Sequence, residues 1–350
     1  MATGFPVKGT GGATTYSANS VLSSSDLNDG FGSLNLLFNA QNSAGKNAFI
    51  NGAADIAQRG TSIAANAGVI YTLDRWAYNC TVLTTCTVSQ VASGLTGFRY
   101  ALRFQRTAGT TTTPAVYLGN SVETSNAILY AGKVVTFSFY IKTGANYSGS
   151  GVSWSINYGT GTDENILYGY TGSVTLLSGT FAANTTWTRV TGTATMPSTA
   201  TEFGTVFVST TTSTALADDS FYITGVQLEL GSSATPFSRA GGSIGGELAL
   251  CQRYFETLGA GSGPVTSSSH ATIYGIYKVT KRAAPSISLQ SGTNGIAQIG
   301  RSLANITAIS TYAGNLNSCL LDATSSDTGM TTNQICVLQG DSVIAISSEL

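Results

Sequence analysis

An all-β protein is predicted: a short N-terminal arm, a larger β-sandwich and a smaller C-terminal β domain. Three observations predict it. Charged side chains make up only 9% of the 350 residues, against roughly 25% in an ordinary soluble domain. Ser, Thr, Gly and Asn take their place, and these suit strands and tight turns better than helices. Hydrophobic residues still reach 42%, enough for packed cores, while 41 glycines beside only 6 prolines argue against a disordered or collagenous tract. Finally, the apolar residues mostly recur at every second position, which is the strand repeat.

The arm, residues 1–47, carries the one convincing helical pattern. Leu27, Phe31, Leu34 and Phe38 are spaced by 4, 3 and 4 residues, the seam spacing of a coiled coil. Ser25 supplies an N-cap, and Asp26 and Asp29 place negative charge near the helix start. With Gly30 and Gly32 inside it and less than two heptads of length, such a helix needs a partner. That partner is either the surface of its own domain or other copies around an axis. These four apolar residues are the candidates for anchoring and trimerisation.

Residues 48–240 read as a jelly-roll sandwich. Val135, Phe137, Phe139 and Ile141 alternate with Thr136, Ser138, Tyr140 and Lys142, so one face is buried and the other solvated. The same alternation runs through residues 152–156, 205–208 and 221–226. Cys80, Val82 and Cys86 share one parity and are expected in a core. A glycine-rich joint follows, and 241–350 read as the smaller β domain. Its opening, Glu247-Leu248-Ala249-Leu250-Cys251-Gln252-Arg253-Tyr254-Phe255, fits either a helical turn or the lead-in to a strand. Residues 273–279, 286–289 and 342–346 are its clearest strands.

Several functions are excluded early. The net charge of −1 provides no cationic footprint for duplex nucleic acid. No apolar run reaches the roughly 18 residues of a membrane span, and Met1-Ala2-Thr3-Gly4-Phe5-Pro6 has no signal-peptide pattern, so synthesis in a cytoplasm is expected. Five cysteines without a CxxC pair argue against a disulfide framework or a zinc ribbon. The single histidine, His270, excludes a multi-histidine metal site within one chain, and no cofactor or resident metal is expected.

Three segments resemble tail-fibre and other virion appendage proteins of tailed bacteriophages. They are Asn51-Gly52-Ala53-Ala54-Asp55-Ile56-Ala57-Gln58-Arg59-Gly60-Thr61 with Tyr71-Thr72-Leu73-Asp74-Arg75-Trp76; Gly225-Val226-Gln227-Leu228-Glu229-Leu230-Gly231 with Ala234-Thr235-Pro236-Phe237; and the 247–255 stretch quoted above. Ser25-Asp26-Leu27-Asn28-Asp29-Gly30-Phe31 resembles the segments by which fibres begin near their attachment point. The resemblance runs from about residue 48 to the end. It implies a carbohydrate-binding-module-like jelly roll and a homotrimeric tail fibre located on the virion. Such a fibre attaches to phage tail or capsid proteins by its N-terminus and meets a host glycan or protein with its distal β domains. The alternatives are a head fibre or capsid decoration protein and, more remotely, a glycan-degrading tailspike.

Candidate sites follow from side-chain chemistry. Trp187, with Tyr168 and Tyr170 in a loop expected to be exposed, are the candidate sugar contacts, since aromatic faces stack on sugar rings; Tyr140 and Tyr158 are held in reserve. Trp154 shares parity with Val152 and Ile156 and is assigned to the core. Asp55 with Arg59, and Asp74-Arg75-Trp76, form either a small polar site or an ion pair that fixes the start of the sandwich. Asp218, Asp219 and Glu229 offer carboxylates for calcium but fall short of its six to eight oxygen ligands. Asp163-Glu164 and Asp218-Asp219 are neighbours that point to opposite strand faces, not the acid and base of a glycosidase. The chain is therefore not expected to be an enzyme.

Overall fold

The structure, a computed structural model, describes residues 45–65, 68–80, 86–113, 115–259, 261–289, 295–298, 300–339 and 344–350. Leu27, Phe31, Leu34 and Phe38 lie outside the described residues.

The fold is all-β, a jelly-roll sandwich of two six-stranded antiparallel sheets followed by a small barrel. The first sheet runs β1 (Ser62–Ala65), β4 (Cys86–Ala92), β5 (Tyr100–Arg106), β12 (Ser220–Leu230), β7 (Val134–Thr143), β10 (Thr188–Thr195). The second runs β2 (Ile70–Tyr71), β3 (Ala77–Cys80), β6 (Ala115–Val122), β11 (Glu202–Thr210), β8 (Gly151–Gly159), β9 (Val174–Ala182). A short helix, α1 (Thr124–Ala127), links β6 to β7.

Alternation along β7 drives Val135, Phe137, Phe139 and Ile141 fully inward. Phe139 meets Phe207 of β11 at 4.9 Å and Trp154 of β8 at 5.5 Å between ring centroids, so the two sheets interlock through aromatic edges. Trp76 and Trp154 are both buried in this core, as are Cys80 and Cys86.

Gly225, at φ +61°, opens a bulge in β12 between Thr224 and Gln227. There Val226 bonds Gly52, whose missing side chain is essential: a Cβ on Gly52 would stand 2.1 Å from the Val226 carbonyl. Two of the three family-like segments thus meet at the bulge. The third joins them through α2 (Ile244–Gln252), which settles the ambiguous 247–255 stretch as a helix followed by a strand. Ser243 caps α2 by accepting from the Gly246 N–H at 3.1 Å, and the buried Glu247 carboxylate accepts the N–H groups of Asn51 and Gly241.

Beyond α2, β13 (Phe255–Leu258), β21 (Ile344–Ser347) and β16 (Ser286–Leu289) form a three-stranded sheet with β21 in the middle. The remaining six strands close a barrel in the order β14 (Ser262–Pro264), β15 (His270–Ile276), β19 (Ser318–Ser325), β18 (Ala304–Gly314), β17 (Gly295–Gln298), β20 (Ile335–Gln339). Its interior holds Ile273, Leu321, Cys319, Cys336 and Leu338.

Sandwich and C-terminal domain are joined by ion pairs, most of them drawn from those same segments. Arg75 is buried, stacks 3.6 Å over the Tyr254 ring, donates to the Ser121 carbonyl at 2.7 Å and pairs with Glu349. Arg59 pairs with the same Glu349 at 3.0 Å and lies 3.6 Å over Phe255. Arg253 and Tyr254 both bond Glu123, and Arg282 pairs with Asp163. Asp55 and Arg59 do not pair with each other, because Asp55 is held by Arg239 at 2.8 Å. The polar residues of these segments are therefore joints of the fold.

Candidate functional site

The outer face of the first sheet carries one row of side chains running across its strands. Ser89 on β4 stands opposite Arg103 on β5, Arg103 opposite Tyr222 on β12, and Tyr222 opposite Lys142 on β7. Thr188 pairs with Ile141, so Trp187, one residue earlier, falls beside Lys142. Arg103, Tyr222, Lys142 and Trp187 are half-buried, and Ser89 is buried. They occupy the solvated parity of their strands, and only cross-strand pairing makes them neighbours.

The row is held in place. Trp187 donates its indole N–H to the Ser93 carbonyl at 2.9 Å and meets Tyr222 edge-on at 6.4 Å. Lys142 Nζ lies 5.2 Å from the Trp187 ring and 4.8 Å from the Tyr222 ring. Arg103 is steadied by a bond from its Nε to Ser89 Oγ at 3.3 Å. Tyr222 Oη donates to Asp218, whose carboxyl lies below its ordinary range. Burial pushes that carboxyl up, but bonds from Ser220, the Ala145 N–H and Tyr222, with the Arg103 charge, outweigh it. Beside the row, Phe98 packs on Tyr140 and on Phe237, and Arg189 lies 5.7 Å over Tyr140. Aromatic faces, fixed cations and hydroxyls at single-strand spacing can stack sugar rings and bind their substituents.

The candidates named from sequence are divided between the two sheets. Trp187 belongs to this row. Tyr168 is 74% exposed on a loop over the outer face of the second sheet. Tyr170, expected to be exposed on the same loop, is instead buried with Ile166 and Val206, because the loop folds back onto the sheet and covers its apolar outer positions. Tyr168 and Trp187 do not form one site. Tyr222, Lys142 and Arg103 were not singled out from sequence. Their signal was present: an aromatic ring or a cation on the solvated parity of a strongly alternating strand.

Other candidate groups are committed elsewhere. Asp219 is buried against Arg106 at 2.6 Å, and Glu229 is taken by Lys46, Gln227 and Thr235. His270 pairs with Asp322 at 3.1 Å on the barrel wall. Among the described residues, no group of three or more His, Cys, Asp or Glu side chains is placed to hold a metal ion, and no helix is long and apolar enough to cross a membrane.

The Glu164 N–H donates to the Glu202 carboxyl at 3.0 Å, and the two carboxyl groups lie close enough to influence each other. Burial pushes the Glu202 carboxyl up to about 7; the Glu164 N–H opposes this, and the Glu164 carboxylate reinforces it. Glu164 is held down by the N–H and hydroxyl of Thr171. Between about pH 4.5 and 7 folded Glu202 keeps a proton that the unfolded chain has lost, so its stabilising contribution is complete below that window and disappears as pH rises through it. Glu164 acts in the opposite direction and only at lower pH. Glu202→Gln is expected to remove this fall in stability, which urea unfolding at pH 5 and pH 8 measures in both proteins.

No model of a known family and no curated protein matches the chain. Solved structures with a similar fold include the enzymatically active domain of tailspike protein 4 of bacteriophage CBA120, at 12% identity over 53% of this chain and TM-score 0.34. The aligned part spans 21% of that tailspike domain. A putative sugar-binding protein from Bacteroides thetaiotaomicron aligns at 12% identity over 53% of this chain and all of its own, with TM-score 0.35. A xylan-binding domain from Paenibacillus barcinonensis aligns at 16% identity over 49% of this chain and all of its own, with TM-score 0.30.

Proposed function

We propose that this chain is a virion appendage protein, a homotrimeric tail fibre whose residues 1–47 attach to the particle. Its sandwich holds a host-surface glycan on the outer face of the first sheet, and it works by binding, with no hydrolysis. The observation that carries the binding role is the Trp187–Lys142–Tyr222–Arg103 row, in which two aromatic rings and two cations are fixed side by side on a solvated face. Weak single sites suffice where many copies on one particle act together.

A glycan microarray probed with the full chain and with Trp187→Ala tests the reading. The full chain is expected to retain a defined set of glycans, and the variant to lose about 2 kcal/mol of affinity, some thirtyfold, as when an anchoring aromatic is truncated. Retention of no glycan by the full chain, or equal retention by the variant, contradicts the reading. Antibody labelling of particles in the electron microscope separates a tail location from a capsid one.

A further inference from the structure

We infer that the ligand of this face is an acidic polysaccharide, one whose sugars carry carboxylate or phosphate groups. The inference rests on the glycan-binding reading above and adds the chemical class of the glycan.

The argument begins with how this chain spends its few charges. Of the fifteen lysines and arginines among the described residues, nine pair with a carboxylate. Arg99, Arg103, Lys133, Lys142, Arg189 and Lys278 do not. Of these six, Arg103, Lys142 and Arg189 stand on the outer face of the first sheet, and Arg99 lies in the loop that borders it. A half-buried cation without a counter-ion is costly, and ring faces recover only about 0.5–1 kcal/mol at exposed sites. Among the described residues Lys142 has only such ring contacts. The terminal nitrogens of Arg103 make no hydrogen bond among the described residues, since its Nε alone bonds Ser89. A guanidinium steadied in that way presents its fork to a carboxylate or a phosphate.

At the margin of the row, Asp218 feels the Arg103 charge but makes no ion pair with it, its oxygens being taken by Ser220, Tyr222 and the Ala145 N–H. Among the described residues Lys142 has no carboxylate partner.

Spacing adds a second argument. Trp187, Lys142, Tyr222 and Arg103 sit on adjacent strands, one step of about 4.8 Å apart. The Lys142 ammonium stands about one such step from each ring, 5.2 Å from Trp187 and 4.8 Å from Tyr222, close to the advance of one sugar along an extended chain. A polymer lying across the strands can rest a sugar ring on the Trp187–Tyr222 pair, whose centroids are 6.4 Å apart, and set its anions against Lys142 and Arg103. Single-stranded nucleic acid also combines rings and anions. It is disfavoured because single-strand binders stack successive bases on a series of exposed aromatics along a cationic groove, whereas this row offers two rings in edge contact.

The test measures binding of the full chain to hyaluronan, a glycerol-phosphate teichoic acid, neutral xylan and oligothymidylate by isothermal titration calorimetry, at low and at 200 mM salt. Arg103→Gln/Lys142→Gln and Trp187→Ala are run beside it, with thermal unfolding as the folding control. At least one acidic polymer is expected to bind, to weaken tenfold or more in the double variant and at high salt, and to be lost in Trp187→Ala. Preference for hyaluronan or for the teichoic acid then identifies carboxylate or phosphate as the recognised group. Equal binding of xylan, unaffected in the double variant, overturns the acidic class and leaves glycan binding standing. Binding of no polysaccharide overturns both readings, and oligothymidylate bound as tightly as the acidic polymers makes the face a nucleic-acid surface.

Discussion

Arg106→Ala is expected to cost about 3–5 kcal/mol of stability, the usual result of removing one partner from a buried ion pair. Arg106 is 0% exposed and Asp219 1%, with 2.6 Å between guanidinium and carboxylate. Removing Arg106 leaves the carboxylate with Ser148 and no counter-ion. It also takes the guanidinium from the Thr112 and Ser213 carbonyls and from that of Thr110, which keeps the Ala215 N–H, all at one end of the sandwich. Urea unfolding followed by tryptophan fluorescence measures the loss, since Trp76 and Trp154 report on the sandwich core. A double replacement, Arg106→Met with Asp219→Leu, is expected to recover part of it by removing the stranded charge, though the Thr112 and Ser213 carbonyls still lack the guanidinium. A loss below about 1 kcal/mol in the single variant contradicts the assignment.

Arg75→Ala is expected to be comparably damaging, with a different signature. Arg75 sits in a left-handed turn at φ +66° and reaches Glu349 across 274 residues of chain, with its side chain 1% exposed. Its removal strips Tyr254 of its stacking partner and leaves Glu349 to Arg59 alone. A loss of about 3–5 kcal/mol is expected on the same ground of a broken buried pair. Because the pair joins the two parts of the molecule, the barrel and the β13–β21–β16 sheet should loosen first. Hydrogen exchange should show early deprotection of residues 344–350 while β7 and β8 stay protected. Uniform deprotection of both parts contradicts a joint role for Arg75.

Much of the sandwich was legible because its information is local. β7 alternates over eight residues, and Trp154 shares parity with two aliphatic neighbours, so both assignments needed only the strand repeat. The barrel was less legible. β14 has three residues and β17 four, too short to display a period, and closure depends on pairings such as Gly263 with Cys336. The site falls between these cases. Trp187 stood out as an aromatic at the start of a strand, whereas Tyr222 and Lys142 became visible as partners only once β12 and β7 were paired. Tyr170 was misread because no local pattern shows a loop folding back on a sheet. The polar motifs at 55–59 and 74–76 looked like a site and proved to be joints: Asp74 is held locally by Gln58, whereas the ion-pair partners of Asp55, Arg59 and Arg75 lie about 180 to 290 residues away.

The binding role turns on where a glycan sits. The direct measurement is the crystal structure of the full chain soaked with the best ligand from the array. Sugar density across Trp187, Tyr222 and Arg103 on the outer face of the first sheet is the predicted result. Density beside Tyr168 on the second sheet, or on the barrel wall, would contradict it.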